Sequence, residues 1–144
     1  MAPRTAPRTA PERLRALYLH LGLWTLQSWL AMFFAGAAYG KLTQSHELLT
    51  LLLHWPDAVG LEVVRALGAV ELVVALGVLT PLISWRGGGR VMGLSAVGML
   101  GLAAFAFALH LSRLELGFAW LNLVLAAFAM VVLVGRLRDS RVSL

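Results

Sequence analysis

The sequence predicts an all-α integral membrane protein built around a four-helix bundle. Of its 144 residues, 60% are hydrophobic and only 13% are charged, and the mean hydropathy is +0.81. A soluble domain of this length buries about 70% of its unfolded surface, so this composition would leave large apolar patches in water. The apolar residues form four continuous runs without the alternation of membrane β-strands. A soluble enzyme is therefore excluded, and the lipid bilayer is the expected environment.

Each apolar run has a length suited to crossing the bilayer. The first, 17–38, contains 22 residues and would form about 33 Å of helix, against a hydrocarbon core of about 30 Å. It exceeds the roughly 7–15 residues of a signal-peptide core, so we expect it to be retained. Pro81 is expected to end the second span because proline cannot continue a helix. The remaining spans are predicted at 61–80, 91–111 and 118–134, within a domain of residues 17–136.

The segments outside this domain are basic. Residues 1–16, which contain a repeated Ala-Pro-Arg-Thr, predict a disordered tail, and residues 137–144 form a second basic tail. Lys41 and Arg113 flank one side of the predicted spans. Nine arginines flank the other side: Arg4, Arg8, Arg13, Arg15, Arg86, Arg90, Arg136, Arg138 and Arg141. Because basic residues accumulate on the cytoplasmic side, we expect both termini in the cytoplasm, a plasma-membrane location, and lipid headgroups rather than nucleic acid as partners.

Both longer connections carry structural signals. The first, 40–60, is rich in leucine and too apolar for a plain loop, so we expect a helix lying at the outer membrane interface. The second contains Gly87-Gly88-Gly89 between arginines. It lacks the strand, helix and Lys-Ser/Thr of a nucleotide loop, which favours a tight turn between antiparallel helices over a phosphate cradle.

Glu71 is the most informative residue because it lies near the middle of the second predicted span. A charge at the centre of a membrane helix costs about 2.5–3.5 kcal/mol, so Glu71 should be protonated, paired or facing a wet cavity. It could handle protons or bind a ligand, or it could be a neutral carboxyl that hydrogen-bonds another helix. Counting along the helix places it about 15 Å below the outer interface. Lys41 is expected at that interface, extending toward the headgroups, and its reach toward Glu71 is left open.

Other residues have expected structural roles. Glu62 and Arg65, three apart on the second span, should form an internal ion pair. Gly36 and Gly40, four apart on the first span, should let a neighbouring helix approach closely. The four histidines form no short ligand motif and the chain has no cysteine, so we expect neither haem nor metal.

Several short motifs follow one another along the chain. Phe34-Ala35-Gly36 and Gly40-Lys41-Leu42 precede Glu71-Leu72, Ala75-Leu76-Gly77-Val78-Leu79 with Pro81, and a Gly/Ala-rich third span ending at His110. This order resembles the DoxX-like membrane proteins over residues 17–136. The resemblance implies a four-helix membrane protein. Some relatives are subunits of thiosulfate:quinone oxidoreductase or of other membrane redox complexes, and many have no assigned activity. It also implies that Lys41, Glu71 and His110 occupy recurring polar positions.

The main functional hypothesis is therefore a quinone-interacting subunit of a membrane redox system, working with other membrane or redox subunits. Lys41, His110 and Arg113 would bind the quinone headgroup at the outer rim, and Glu71 would accept a proton. Whether the chain has catalytic activity of its own is left open. Two alternatives remain, namely a non-catalytic anchor or assembly partner, and a path for a small solute or protons along Glu71.

Overall fold

Four long apolar helices dominate the structure, a computed structural model that describes residues 9–53 and 55–142. The helices are α1 (Ala10–Thr43), α2 (His46–Leu53), α3 (Pro56–Val59), α4 (Leu61–Val78), α5 (Trp85–Ser112) and α6 (Leu116–Val142). Of these, α1, α4, α5 and α6 are long and apolar enough to cross a membrane. No strand occurs in the described part of the chain. The predicted all-α four-helix membrane protein is confirmed.

The four spanning helices form an antiparallel ring in which α4 and α6 each contact both α1 and α5. We call the end with the α1–α4 connection and the α5–α6 turn the loop end, and the opposite end the terminus end. Between 22% and 39% of each spanning segment is buried, which leaves most of each helix surface for lipid. The core is formed largely by Leu30, Phe34, Val78, Met99, Leu125 and Val132.

α1 begins at Ala10, well before the predicted span, because its N-terminus is capped. The Thr9 backbone N–H donates to the Glu12 carboxylate at 2.7 Å. Pro11 occupies the first turn, where its missing N–H costs no helical hydrogen bond. Residues 10–16 of the predicted disordered tail are therefore helical, and the residues before Thr9 lie outside the described part of the chain.

The three glycines expected to form the second turn belong instead to the start of α5, which begins at Trp85. The chain reverses earlier, in a 3₁₀ turn at Thr80–Leu82 that contains the buried Pro81. Gly88 is required there, because a Cβ at this position would lie 2.6 Å from the Thr80 carbonyl oxygen. The turn and α5 thus pack backbone to backbone, and Thr80 Oγ1 donates to the Gly88 carbonyl at 3.0 Å.

A close approach of α1 to α4 uses a different glycine from those predicted. A Cβ added at Gly36 or Gly40 would meet no atom within 4 Å, so neither brings two helices of this bundle together. A Cβ at Gly68 would lie 2.9 Å from the Lys41 Cβ. The crossing therefore places Lys41 beside the second turn of α4.

The apolar first connection folds into α2 and the short α3. Within α2, Leu49 is only 3% exposed, whereas Leu51 is 70% exposed. One face of this helix therefore packs inward and the other has no partner within the bundle. Its location at the membrane interface stays a prediction.

Candidate functional site

A cavity of about 230 Å³ lies in the loop-end half of the bundle. All four spanning helices line it, together with Leu53 and Trp55 from the first connection. Most of its wall is aromatic or aliphatic. The polar side chains among the lining residues are those of Lys41, Glu71, His110 and Asn122. Three of the four residues predicted to form the site thus share one cavity.

Lys41 and Glu71 form an ion pair at this cavity. Lys41 Nζ lies 2.8 Å from each Glu71 carboxylate oxygen, and the two side chains are 12% and 10% exposed. Glu71 is therefore paired and also faces the cavity. The expectation that Lys41 extends toward the headgroups is wrong, and so is the predicted depth difference between the two residues.

Arg65 explains this placement, because it holds the end of α1 against α4. Its Nη1 donates to the Lys41 carbonyl oxygen at 2.6 Å, and its Nη2 donates to the Gln44 carbonyl oxygen at 2.8 Å. Carbonyls at the end of a helix lack intrahelical partners, so a guanidinium stabilises them. The expected ion pair with Glu62 is not formed, since the guanidinium faces α1. Glu71 lies one turn from Gly68, about 4.5 Å along the axis, which a lysine side chain spans easily.

His110 forms a second side-chain contact at the cavity, near the end of α5. Its Nδ1 lies 2.5 Å from Glu115 Oε2, and its ring stacks on Phe118 with centroids 5.2 Å apart. The α5–α6 turn produces this contact. The Glu115 N–H donates to the His110 carbonyl at 2.9 Å and the Leu114 N–H to the Leu111 carbonyl at 3.1 Å, with Leu114 at φ 60°. This is a Schellman motif, in which an apolar contact usually joins the residues that here are histidine and glutamate.

Arg113, predicted to bind a ligand, is not among the residues that line the cavity. Its Nε donates to Glu115 Oε1 at 3.1 Å, and its side chain is 35% exposed. The hydrogen bond with His110, together with the nearby Arg113, lowers the pKa of Glu115 below its ordinary value. Arg113 therefore contacts Glu115, which in turn contacts His110.

A second buried polar group lies toward the terminus end, and sequence reasoning missed it. Gln27 is 0% exposed. Its Nε2 donates to the Val78 carbonyl oxygen, and its Oε1 accepts a hydrogen bond from Arg136 Nε at 3.1 Å. The Arg136 guanidinium carbon lies 4.7 Å from the Trp24 ring centroid. We call these four residues the Gln27 cluster, which ties α1 to α4 and α6.

Two residues near the cavity were also missed. Asn122 is a single amide within an apolar run, and the cost of burying it in a membrane was a signal that could have identified it. Gln27 could have been identified from the same cost of burial. Nothing in the sequence indicated Glu115, the second missed residue, because its contact with His110 depends on the geometry of the turn.

Comparison with protein families identifies a match over residues 25–132, to the model described as the DoxX-like family. The matched range contains Gln27 and all four polar cavity residues, and ends before Arg136. Neither the curated proteins nor the solved structures give a match. Because the match covers well over half of the chain and includes the residues around the cavity, this chain belongs to the DoxX-like family.

Proposed function

We propose that this chain is a membrane subunit of a quinone-linked redox system and that its cavity binds the quinone headgroup. The observation that carries the proposal is one cavity in which an ion pair and a histidine interrupt an apolar wall of aliphatic and aromatic side chains. Ligand sites commonly combine such an apolar wall with a few polar groups that fix orientation. Other subunits would supply the electron donor.

The size of the cavity suits one ring. A cavity of about 150 Å³ is enough to hold benzene, whereas sites for drug-sized ligands measure about 300–1,000 Å³. The volume here is about 230 Å³. A single substituted ring would fit, and a long isoprenoid tail would remain outside among the lipid chains.

The packing of α1 against α6 supports access from the membrane. Contacts between the two helices toward the terminus end are Leu23 with Gly135, Gln27 with Arg136, and Trp29 with Phe128. In their loop-end halves, side chains from both helices line the cavity. We propose that a lipid-soluble ligand enters between these halves of α1 and α6, a route that would not require it to cross water.

The polar groups match the two oxygens of a quinone. An ammonium has three N–H donors, and Lys41 directs donors to both oxygens of Glu71, which leaves one for a ligand. Because Nδ1 of His110 faces Glu115, Nε2 remains for a second oxygen. When bound, a quinone supplies electron transfer coupled to proton exchange. The residues of this chain would bind and orient the ring and hold protons at Glu71 and His110.

We also propose that the termini are cytoplasmic, so that the cavity lies in the outer half of the plasma membrane. The arginine distribution supports this orientation. The absence of native cysteine makes the test direct. In intact cells, Ser45→Cys should react with an impermeant maleimide, and Thr9→Cys, at an exposed position outside the spans, should react only after permeabilisation. The reverse result would invert the topology.

Photo-crosslinking with an azido-quinone in lipid nanodiscs tests the binding site. Saturable labelling is expected on segments 33–41, 102–110 and 118–125, with competition by unlabelled quinone. Ala106→Phe should abolish labelling by filling the cavity while keeping every polar group. Glu71→Gln should weaken binding about tenfold, equivalent to about 1.4 kcal/mol.

Glu62→Gln is the matched control, because Glu62 is an exposed acid on the same helix as Glu71 and should leave labelling unchanged. Labelling that does not saturate, or that persists in Ala106→Phe, would contradict the proposal. If the variants alter only the assembly of a larger complex, the anchor or assembly-partner hypothesis replaces this one.

A further inference from the structure

We propose that His110 and Glu115 carry protons between the cavity and the water at the loop end. The proposal rests on the ligand site described above, because it concerns protons exchanged with a ligand in that cavity. It assigns a role to Glu115, which does not line the cavity but contacts a residue that does.

The side chains form a short series from the cavity to the surface. The exposed fraction rises from 11% at His110 to 21% at Glu115 and 35% at Arg113. His110 lines the cavity and lies 2.5 Å from Glu115, which in turn accepts from Arg113 at 3.1 Å. Each contact is within hydrogen-bonding distance, so a proton would need no bridging side chain between the cavity and the loop-end surface.

An imidazole suits this position because one ring nitrogen can exchange a proton with the cavity while the other exchanges a proton with Glu115. With neutral His110 protonated at Nδ1, Nε2 takes a proton from a phenolic hydroxyl in the cavity. Nδ1 then gives its proton to the carboxylate of Glu115. Glu115 releases the proton to water, and the imidazole is left neutral with its proton on Nε2. The starting tautomer returns when Nδ1 regains a proton through Glu115 and Nε2 gives its proton to a ligand oxygen in the cavity, so the same path carries protons in both directions. Every step is a proton transfer, so no oxidant or reductant is needed.

Other charged groups around the cavity are less suited to this path. From α1 and α4, Lys41 and Glu71 face the cavity, but both oxygens of Glu71 bind Lys41 Nζ, and a proton on Glu71 would weaken this pair. From α6, Asn122 lines the cavity and does not titrate. On the turn, Arg113 donates to Glu115 and favours its carboxylate form, which lets Glu115 release protons readily.

A pH-jump experiment tests the path on the full chain in lipid nanodiscs. The probe is 2-decyl-4-nitrophenol, whose phenolate absorbs visible light and whose ring resembles a reduced quinone headgroup. After rapid mixing to higher pH, the absorbance of the bound probe reports how fast it loses its proton. Glu115→Gln keeps a hydrogen-bonding side chain beside His110 but cannot take a proton. The ionisation rate should fall at least about tenfold, equivalent to about 1.4 kcal/mol in the barrier, while probe affinity stays within about threefold.

Glu62→Gln, which removes an exposed carboxylate from the loop end of α4, should ionise at the wild-type rate. His110→Phe should slow ionisation as Glu115→Gln does, and if this variant fails to bind the probe, Glu115→Gln alone decides the result. Wild-type rates in Glu115→Gln, or equal slowing in Glu62→Gln, would overturn the path and leave the binding site intact. If the wild-type protein does not bind the probe saturably, the binding site and the path fail together.

Discussion

The loop-end and terminus-end halves of the bundle bury polar groups in different ways. At the loop end, Lys41 and Glu71 neutralise each other beside a cavity of about 230 Å³. At the terminus end, Gln27 is 0% exposed, and the cluster around it contains one cation held by an amide and an aromatic ring. Both arrangements compensate buried charge, but the loop-end pair also faces a cavity large enough for a ring.

This difference distinguishes two roles for a buried polar group, which can bind a ligand in a cavity or hold helices together. The Gln27 amide hydrogen-bonds to Val78 of α4 and to Arg136 of α6, so these hydrogen bonds hold both helices against α1. The loop-end groups retain unused hydrogen-bonding capacity toward the cavity. Burial of a polar residue in a membrane span is therefore compatible with either role, and its partners decide which one applies.

The largest expected effect comes from breaking the loop-end pair on one side. Glu71→Leu leaves Lys41 charged and unpaired, which should lower the free energy of unfolding by about 3–5 kcal/mol. Lys41→Met combined with Glu71→Leu leaves no buried charge and should recover most of this loss. Unfolding by SDS in mixed micelles measures both variants. Equal destabilisation of the single and double variants would show that the pair is not energetically coupled.

A smaller effect is expected at the terminus end. Gln27→Leu removes the hydrogen bonds to the Val78 carbonyl and to Arg136, which should cost about 1–3 kcal/mol. Quinone labelling at the loop end should not change. The same SDS titration and crosslinking assay measure these two quantities. Loss of labelling at unchanged stability would contradict the purely structural role assigned to the Gln27 cluster.

The α5–α6 turn offers a stabilising change. Leu114 has φ 60°, a conformation that costs an L-residue about 1–2 kcal/mol and glycine almost nothing. Leu114→Gly should therefore raise stability by about 1 kcal/mol, less the extra freedom that glycine has when unfolded. Leu116→Gly, within α6, should instead destabilise by up to about 1 kcal/mol. If the two variants behave alike in thermal unfolding, the φ of Leu114 does not limit stability.

The smallest effect concerns pH. Because the pKa of Glu115 is lowered by its hydrogen bond with His110 and by Arg113, the carboxylate stabilises the fold above the pKa of about 4.3 of a free glutamate. This contribution is lost as the pH falls through the lowered pKa in the folded state. The thermal midpoint of the wild type should therefore fall more steeply in acid than that of Glu115→Gln. Parallel curves would show that Glu115 contributes nothing to stability.

Hydropathy predicted the four spans but not where the helices end. The predicted third span, 91–111, lies inside α5, which runs from Trp85 to Ser112. Hydropathy detects the part of a helix that suits lipid, whereas backbone hydrogen bonds continue through arginine and glycine. The same reasoning explains why the glycines before Arg90 are helical and why α1 begins at Ala10.

Each polar residue of the cavity could be identified from the sequence, but the arrangement of these residues around one cavity could not. Glu71 and His110 are conspicuous because polar groups are costly in a membrane span. The approach of Lys41 to Glu71 depends on the register between α1 and α4, which is set by Gly68 and Arg65. The prediction placed Lys41 at the outer end of the first span and counted down to Glu71 from the start of the second, which assumed that α1 ends at the level where α4 begins. The contact between the two helices places Lys41 deeper than this.

The Schellman motif also fixes how many residues can connect α5 to α6. Loops usually tolerate insertions and deletions, because their backbone faces solvent and packs against little. Here the backbone bond from Glu115 to the His110 carbonyl and the contact between their side chains both require the present spacing. One added residue would move the carboxylate away from the imidazole. Although this turn lies outside the spans, these two contacts constrain its length.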